Sequence, residues 1–166
     1  MIIVADTTPL RYLIEIEATG VLLTLFGQVV IPQRVFSELQ DPGTPQAVRD
    51  WMQESPDWLI VRQADLSFFT PQAKIEDGER EAIALALSLG ADALLCDDGK
   101  AIKEAARLRL PVIRLLSILD KAAAVGLIDL ADAIYRLRQT TFHLPPDEFV
   151  DALLERDLLR QANKSG

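Results

Sequence analysis

Two adjacent carboxylates, Asp97 and Asp98, close an apolar run, Ala93-Leu94-Leu95-Cys96, and are followed by Gly99 and a helical pattern from about Ala101. The same shape occurs at the start of the chain, where Ile2-Ile3-Val4-Ala5 runs into Asp6, then Thr7-Thr8-Pro9 and another helix. Such runs read as strands of a parallel sheet buried on both faces, and open α/β sheets bind ligands in the crevice beyond the carboxyl ends of their strands. If the two strands share a sheet, their acids converge. Like charges that close cannot all stay ionised: either their pKa values rise or a cation sits among them. Mg2+ prefers carboxylate oxygen and keeps part of its water shell, which leaves room for a substrate phosphate. The bland alternative is that Asp6, Asp97 and Asp98 cap the helices that follow them. Only the pairing of the two strand ends favours chemistry.

The elements that must position these acids follow from the apolar pattern. A first helix has Leu10, Leu13, Ile14 and Ala18 on its buried face and is broken at Gly20; Val21 to Phe26 make a short apolar turn or helix. Val29-Val30-Ile31 is a second strand, stopped by Pro32, which suits the first turn of a helix running to about Leu39 with Glu38 beside its core face. Asp41-Pro42-Gly43-Thr44-Pro45 signals a loop, followed by a helix over about Gln46 to Gln53 and a strand at Trp58 to Arg62. Gln63 to Asp77 lacks periodicity and reads as a long connecting loop. Asp77-Gly78-Glu79 opens a helix with Ala82, Ile83, Ala86, Leu87 and Leu89 as its apolar stripe and Gly90 as its cap. Its early acids suit the helix dipole, which is their bland reading. After the strand at 93–96 come a helix with Ala101, Ile102, Ala105 and Leu108 inward and a short strand at Leu110 to Arg114, placed at an edge by Pro111. Helices over 115–125, from Leu130 to about Arg138, and from about Asp147 to Arg160 complete the chain, and Asn163 to Gly166 should fray. Strand and helix alternate up to Ile113, which implies a parallel sheet of four to five strands.

Composition narrows the function. The 166 residues are 49% hydrophobic and only 6% aromatic, enough for one domain with a substantial core of Leu, Ile, Val and Ala. The net charge of −8 excludes broad electrostatic attraction to nucleic acid, so a phosphate substrate must be held locally. The single cysteine, Cys96, allows no internal disulfide and fits a reducing cytoplasm. Met1 to Val4 is too short for a signal peptide or a membrane span.

Four stretches carry a family resemblance: Val4-Ala5-Asp6-Thr7-Thr8-Pro9-Leu10, Ile31-Pro32 with Val35-Phe36-Ser37-Glu38-Leu39, Asp77-Gly78-Glu79-Arg80-Glu81-Ala82-Ile83-Ala84-Leu85-Ala86, and Gly90-Ala91-Asp92 with Asp97-Asp98. In this order the chain resembles the PIN-domain nucleases, most closely a prokaryotic branch similar to the VapC toxins. The resemblance implies a three-layer α/β/α sandwich spanning residues 1–166 as a single domain, with residues 115–166 a helical C-terminal extension. It implies a metal-dependent endoribonuclease that cuts single-stranded RNA with Mg2+ or Mn2+, the toxin of a toxin–antitoxin pair. Carried over, the catalytic acids are Asp6, Glu38, Glu79 and Asp98, with Glu81 competing for the third place. The metal ligands are Asp6, Glu79, Asp97 and Asp98, and which of Asp97 and Asp98 faces the ion stays open. Thr8 and Arg11 are placed on the substrate, although Arg11 stands where an apolar residue is expected and could simply pair with Glu15. A partner antitoxin would present a basic segment to the acids. The apolar faces of the last helices (Leu127, Ile128, Leu130; Phe149, Val150, Leu153, Leu154) either cover the sheet or make a homodimer.

Two rivals share the acid cluster. A phosphatase of the haloacid-dehalogenase type needs a second acid two residues after the first, where this chain has Thr8. A phosphoacceptor signalling module needs an acid pair after the first strand and a lysine after the last, where this chain has one acid and Arg114. A third alternative is an inert module with the same fold. The only histidine, His143, reads as a loop residue rather than a catalyst.

Overall fold

The computed structural model describes residues 1–166. Five strands, β1 (Ile3–Ala5), β2 (Val29–Pro32), β3 (Leu59–Arg62), β4 (Ala93–Leu95) and β5 (Val112–Ile113), form one sheet in the order β3-β2-β1-β4-β5, with every pairing parallel. β1 and β4 are fully buried, as strands covered on both faces must be. The pleat divides their side chains between two cores. Ile3, Ala5, Ala93 and Leu95 face one, and Val4, Leu94 and Cys96 face the other.

The first core is covered by α1 (Thr7–Glu15), α2 (Gly20–Phe26), α3 (Gln33–Leu39), α4 (Gln46–Gln53), α7 (Leu115–Ala124), α8 (Leu130–Arg138) and α9 (Asp147–Ser165). The second is covered by α5 (Asp77–Leu89) and α6 (Gly99–Arg107), with Phe69 of the preceding connection tucked beneath them. The result is the three-layer α/β/α sandwich expected. Each fully buried Leu or Ile contributes about 1.5–3 kcal/mol over leaving it in water. That apolar mass is what tolerates acids placed at the strand ends.

Several boundaries differ from expectation, for physical reasons. The first helix ends at Glu15, and Glu17 turns with φ 57°. Gly20 therefore starts α2 rather than breaking α1. The stretch from Gln63 to Asp77 is a packed strap: it contains a 3-10 turn at Leu66–Phe68, and its Gln72 and Ala73 amides donate to the buried Glu104 carboxylate at 3.0 and 2.7 Å. α9 continues to Ser165 instead of fraying: Arg156 and Arg160 both bond Asp120 of α7, and Lys164 Nζ donates to Ala124 O at the end of α7. Val150, Leu153 and Leu130 are buried against the first core, so the C-terminal helices cover it; Phe149 and Leu127 remain exposed. Gly90 ends α5 in the left-handed region at φ 59°, which a side chain adopts only under strain. β5 lies at the sheet edge, as Pro111 implied. No helix is long and apolar enough to cross a membrane.

Candidate active site

The sheet order puts the crevice between β1 and β4. The chain leaves β1 toward β2 and β3, then returns to place β4 on the opposite side, so the connections diverge beyond these two carboxyl ends. The Asp6 amide donates to Leu95 O at 2.9 Å, which carries the β1–β4 pairing one residue past the strands. Asp6 therefore emerges beside Cys96-Asp97-Asp98. Glu38 arrives on α3, just after β2, and Glu76, Asp77 and Glu79 at the start of α5. The two strand ends share one edge, as the pairing argument required.

Each acid has its own environment. Asp6 precedes α1 but makes no side-chain cap, so helix capping does not consume its carboxyl group. It is 3% exposed, and burial, reinforced by the charges of Glu79, Glu38 and Glu76, pushes its pKa up to about 7. Cys96 Sγ lies 3.9 Å from Asp6 Oδ2, and burial holds that thiol far above its ordinary value, so Cys96 is an inert floor. Glu79 is also buried; its pKa is raised to about 7 by burial and then by Asp98, Glu76 and Glu38, against the stabilising N–H of Glu76 at 2.9 Å. Glu38 accepts the Thr7 hydroxyl at 2.5 Å and faces Arg34 Nε at 3.4 Å.

The adjacent aspartates part company. Asp98 does cap α6, as the bland reading held, accepting the amides of Lys100 and Ala101 at 2.8 and 2.9 Å through Oδ1 alone. It still borders the cleft. Asp97 turns toward α7, where Oδ2 accepts the Leu115 amide at 3.1 Å and Oδ1 faces Arg114 at 3.5 Å. Burial raises the Asp97 pKa, and these two partners oppose the rise. Glu81 likewise looks elsewhere, accepting the Arg34 amide at 3.3 Å. Of the competing pairs, Asp98 and Glu79 face the cleft.

That cleft encloses about 690 Å³, with Glu38, Glu76, Asp77, Glu79 and Asp98 on its wall beside Arg34, Lys74 and Lys100. The three cations were not singled out from sequence. The signal for Arg34 is its i, i+4 spacing to Glu38, and Arg34 also reaches Asp77 at 3.3 Å; Lys74 and Lys100 carry no local signal. Arg11, expected on the substrate, instead pairs with Glu15 at 2.8 Å and lies over the Tyr12 ring, because the i, i+4 partner is nearer than the cleft. Thr8 lines an adjoining hollow with Glu79, Asp97 and Asp98. Two further residues went unnoticed. Thr7 fixes Glu38, and Gly78 permits it: a methyl at Gly78 would sit 2.5 Å from Glu38 Oε2.

No three His, Cys, Asp or Glu side chains stand close enough together to ligate one ion as they are arranged. Glu38, Glu79 and Asp98 each accept a hydrogen bond from the chain, from Thr7, the Glu76 amide and the α6 amides, respectively. The donor chemistry nevertheless suits a hard divalent cation: the set is all carboxylate oxygen, and two members are forced toward neutrality by burial and by each other.

A family model described as a PIN domain matches residues 2–157, a span that takes in all five strands and α1 to α8. A PilT N-terminus domain protein from the hyperthermophilic archaeon Sulfolobus solfataricus P2 shares the fold at a TM-score of 0.51 and 20% identity, covering 88% of this chain and 99% of its own. No curated protein matches the chain.

Proposed function

Because this chain belongs to the PIN-domain family, whose members are generally nucleases, we propose that it is a divalent-metal-dependent endoribonuclease acting on single-stranded RNA, and the toxin of a toxin–antitoxin pair. The observation that supports this best is the Asp6 carboxyl group, buried at the β1–β4 crevice with Glu79 and Glu38 close enough to raise its pKa. A buried acid with no cap to make and no basic partner is a destabilising feature unless a cation uses it. The toxin role rests on the motif resemblance alone.

Asp6, Glu79 and Asp98 would hold Mg2+ or Mn2+, with Glu38 at the margin. Bound there, such an ion supplies Lewis acidity, polarising a phosphodiester and acidifying water. The chain's own residues do the rest. Thr7 and Arg34 set the direction of the Glu38 carboxylate. Arg34, Lys74 and Lys100 supply the local positive charge that a chain of net charge −8 otherwise lacks, so backbone phosphates can approach an acid cleft. Asp97 stays out of the cleft and ties the end of β4 to α7.

Purified protein with Mn2+ and an unstructured RNA tests the reading. Cleavage that EDTA stops and that Asp6→Asn and Asp98→Asn abolish is expected. Asn keeps the α6 cap at position 98, so loss there reports the lost charge. No cleavage of any RNA by the native chain would refute the proposal.

A further inference from the structure

The acid cleft does not end at Asp98. A hollow of about 310 Å³ shares Glu79 and Asp98 with it and passes Thr8 and Tyr12, one turn apart on α1, to reach Phe142 and His143. A third, of about 170 Å³, starts from Phe142 and His143 and ends against Phe149. The middle hollow shares walls with each of the others, so the three lie in series.

The far end of the series has different chemistry. The only acid there is Asp97, and both its oxygens are engaged, by the Leu115 amide and by Arg114. Four of the other lining side chains are planar, Phe142, His143, Phe149 and the Arg114 guanidinium, beside Leu116, Ser117 and Pro145. Phe149 lies in the first turn of α9 and is 57% exposed although its neighbour Val150 is fully buried. The wall is rigid. Tyr12 meets Phe142 edge-on with centroids 5.1 Å apart, and its hydroxyl lies 2.9 Å from Thr141 Oγ1. These contacts hold the 139–146 connection onto α1 beside Thr8.

We propose that this end of the series is a nucleobase subsite, in which Phe149, Phe142 and His143 stack one unpaired base of the RNA whose backbone crosses the acid cleft. The inference rests on the nuclease reading and adds to it the origin of single-strand selectivity. A base still paired in a duplex cannot turn its face to Phe149, whereas an unstacked one can, and any base has a face to stack. Arg114 adds a cation beside both the ring system and the incoming phosphate.

Steady-state cleavage of an unstructured RNA by the native chain, Phe149→Ala, Phe149→Leu and Phe149→Trp is the test, with binding of a labelled unstructured decanucleotide followed in parallel. Stacking one base on an aromatic face is worth at least about five-fold in affinity. Phe149→Ala and Phe149→Leu should therefore raise KM and Kd about five-fold or more, with kcat retained, and Phe149→Trp should restore both. An RNA made abasic at one fixed position from the cut should lose the same factor with the native chain and nothing further with Phe149→Ala. If Leu serves as well as Phe, the side chain only packs and the subsite is wrong. Native cleavage with unchanged parameters in all three variants also overturns it, leaving the nuclease reading standing and the face to a protein partner. If the native chain cuts no RNA, the nuclease reading fails, and unchanged decanucleotide binding by Phe149→Ala then removes the subsite as well.

Discussion

Asp6→Asn should stabilise the metal-free protein, and the gain should grow with pH. Asn has nearly the shape of Asp and cannot ionise. In the unfolded chain Asp6 releases its proton near 3.8, and in the fold near 7. Between those values the folded state holds a proton that the unfolded state has lost, so stability falls as pH rises. Above about 7 the site must accept a buried charge, and the deficit levels off. Three units at 1.36 kcal/mol each put the full deficit at about 4 kcal/mol. Asn carries none of it, although its amide must find partners in a site shaped for a carboxyl group, so a gain of about 2–4 kcal/mol at pH 8 is expected. For a chain of this size that is roughly 5–15 °C in Tm. At pH 4 the two proteins should melt within a few degrees of each other. Thermal melts in EDTA across pH 4 to 8 measure the difference directly. A gap that does not widen with pH, or an Asn variant less stable than the native chain at pH 8, would refute the argument that burial and acid clustering strain this site.

Three further outcomes follow from the same geometry. Saturating Mn2+ should raise the native Tm, by about 2.7 kcal/mol of stabilisation at a hundred times Kd, and should leave Asp6→Asn nearly unmoved; equal shifts in both would locate the ion elsewhere. Gly78→Ala should lower cleavage about ten-fold or more, because its methyl displaces the Glu38 carboxylate from Thr7, while stability changes by less than about 1 kcal/mol since Ala favours the helix. Native cleavage by that variant would remove Glu38 from the site. Glu104→Gln, which weakens the anchor of the 63–76 strap, should speed hydrogen exchange at the Gln72 and Ala73 amides; unchanged exchange would mean the strap holds itself.

Much of the fold was legible locally. β1 and β4 could be read because strands buried on both faces must be apolar throughout. Gly90 could be read because only a residue without a side chain closes a helix cheaply in the left-handed region. The acids Asp6, Glu38, Glu79 and Asp98 are grouped by the family resemblance of four motifs in order, since Asp6, Glu79 and Asp98 follow a strand or open a helix but Glu38 lies near the end of α3. That β1 and β4 are neighbours was only a condition of the sequence argument, and the sheet order supplies it.

What the chain alone left undecided concerns direction and distant neighbours. Asp97 and Asp98 are consecutive acids with the same local signal, and only Arg114 and the Leu115 amide, 17 and 18 positions away, turn one of them from the cleft. Glu79 and Glu81 differ in the same way, one turned to the crevice and the other to the Arg34 amide. Arg11 and Arg34 are both cations with a glutamate four residues on, yet only Arg34 borders the cleft, because α3 runs along its edge and Arg11 bends away over Tyr12. The approach of His143 and Phe149 to the acids has no trace in local pattern, since it depends on α1, α7 and α9 packing against one core. Periodicity and turn chemistry are properties of a few adjacent residues and survive in the sequence. The direction a polar side chain takes is set by which donors and charges the finished fold brings within about 3 Å of it.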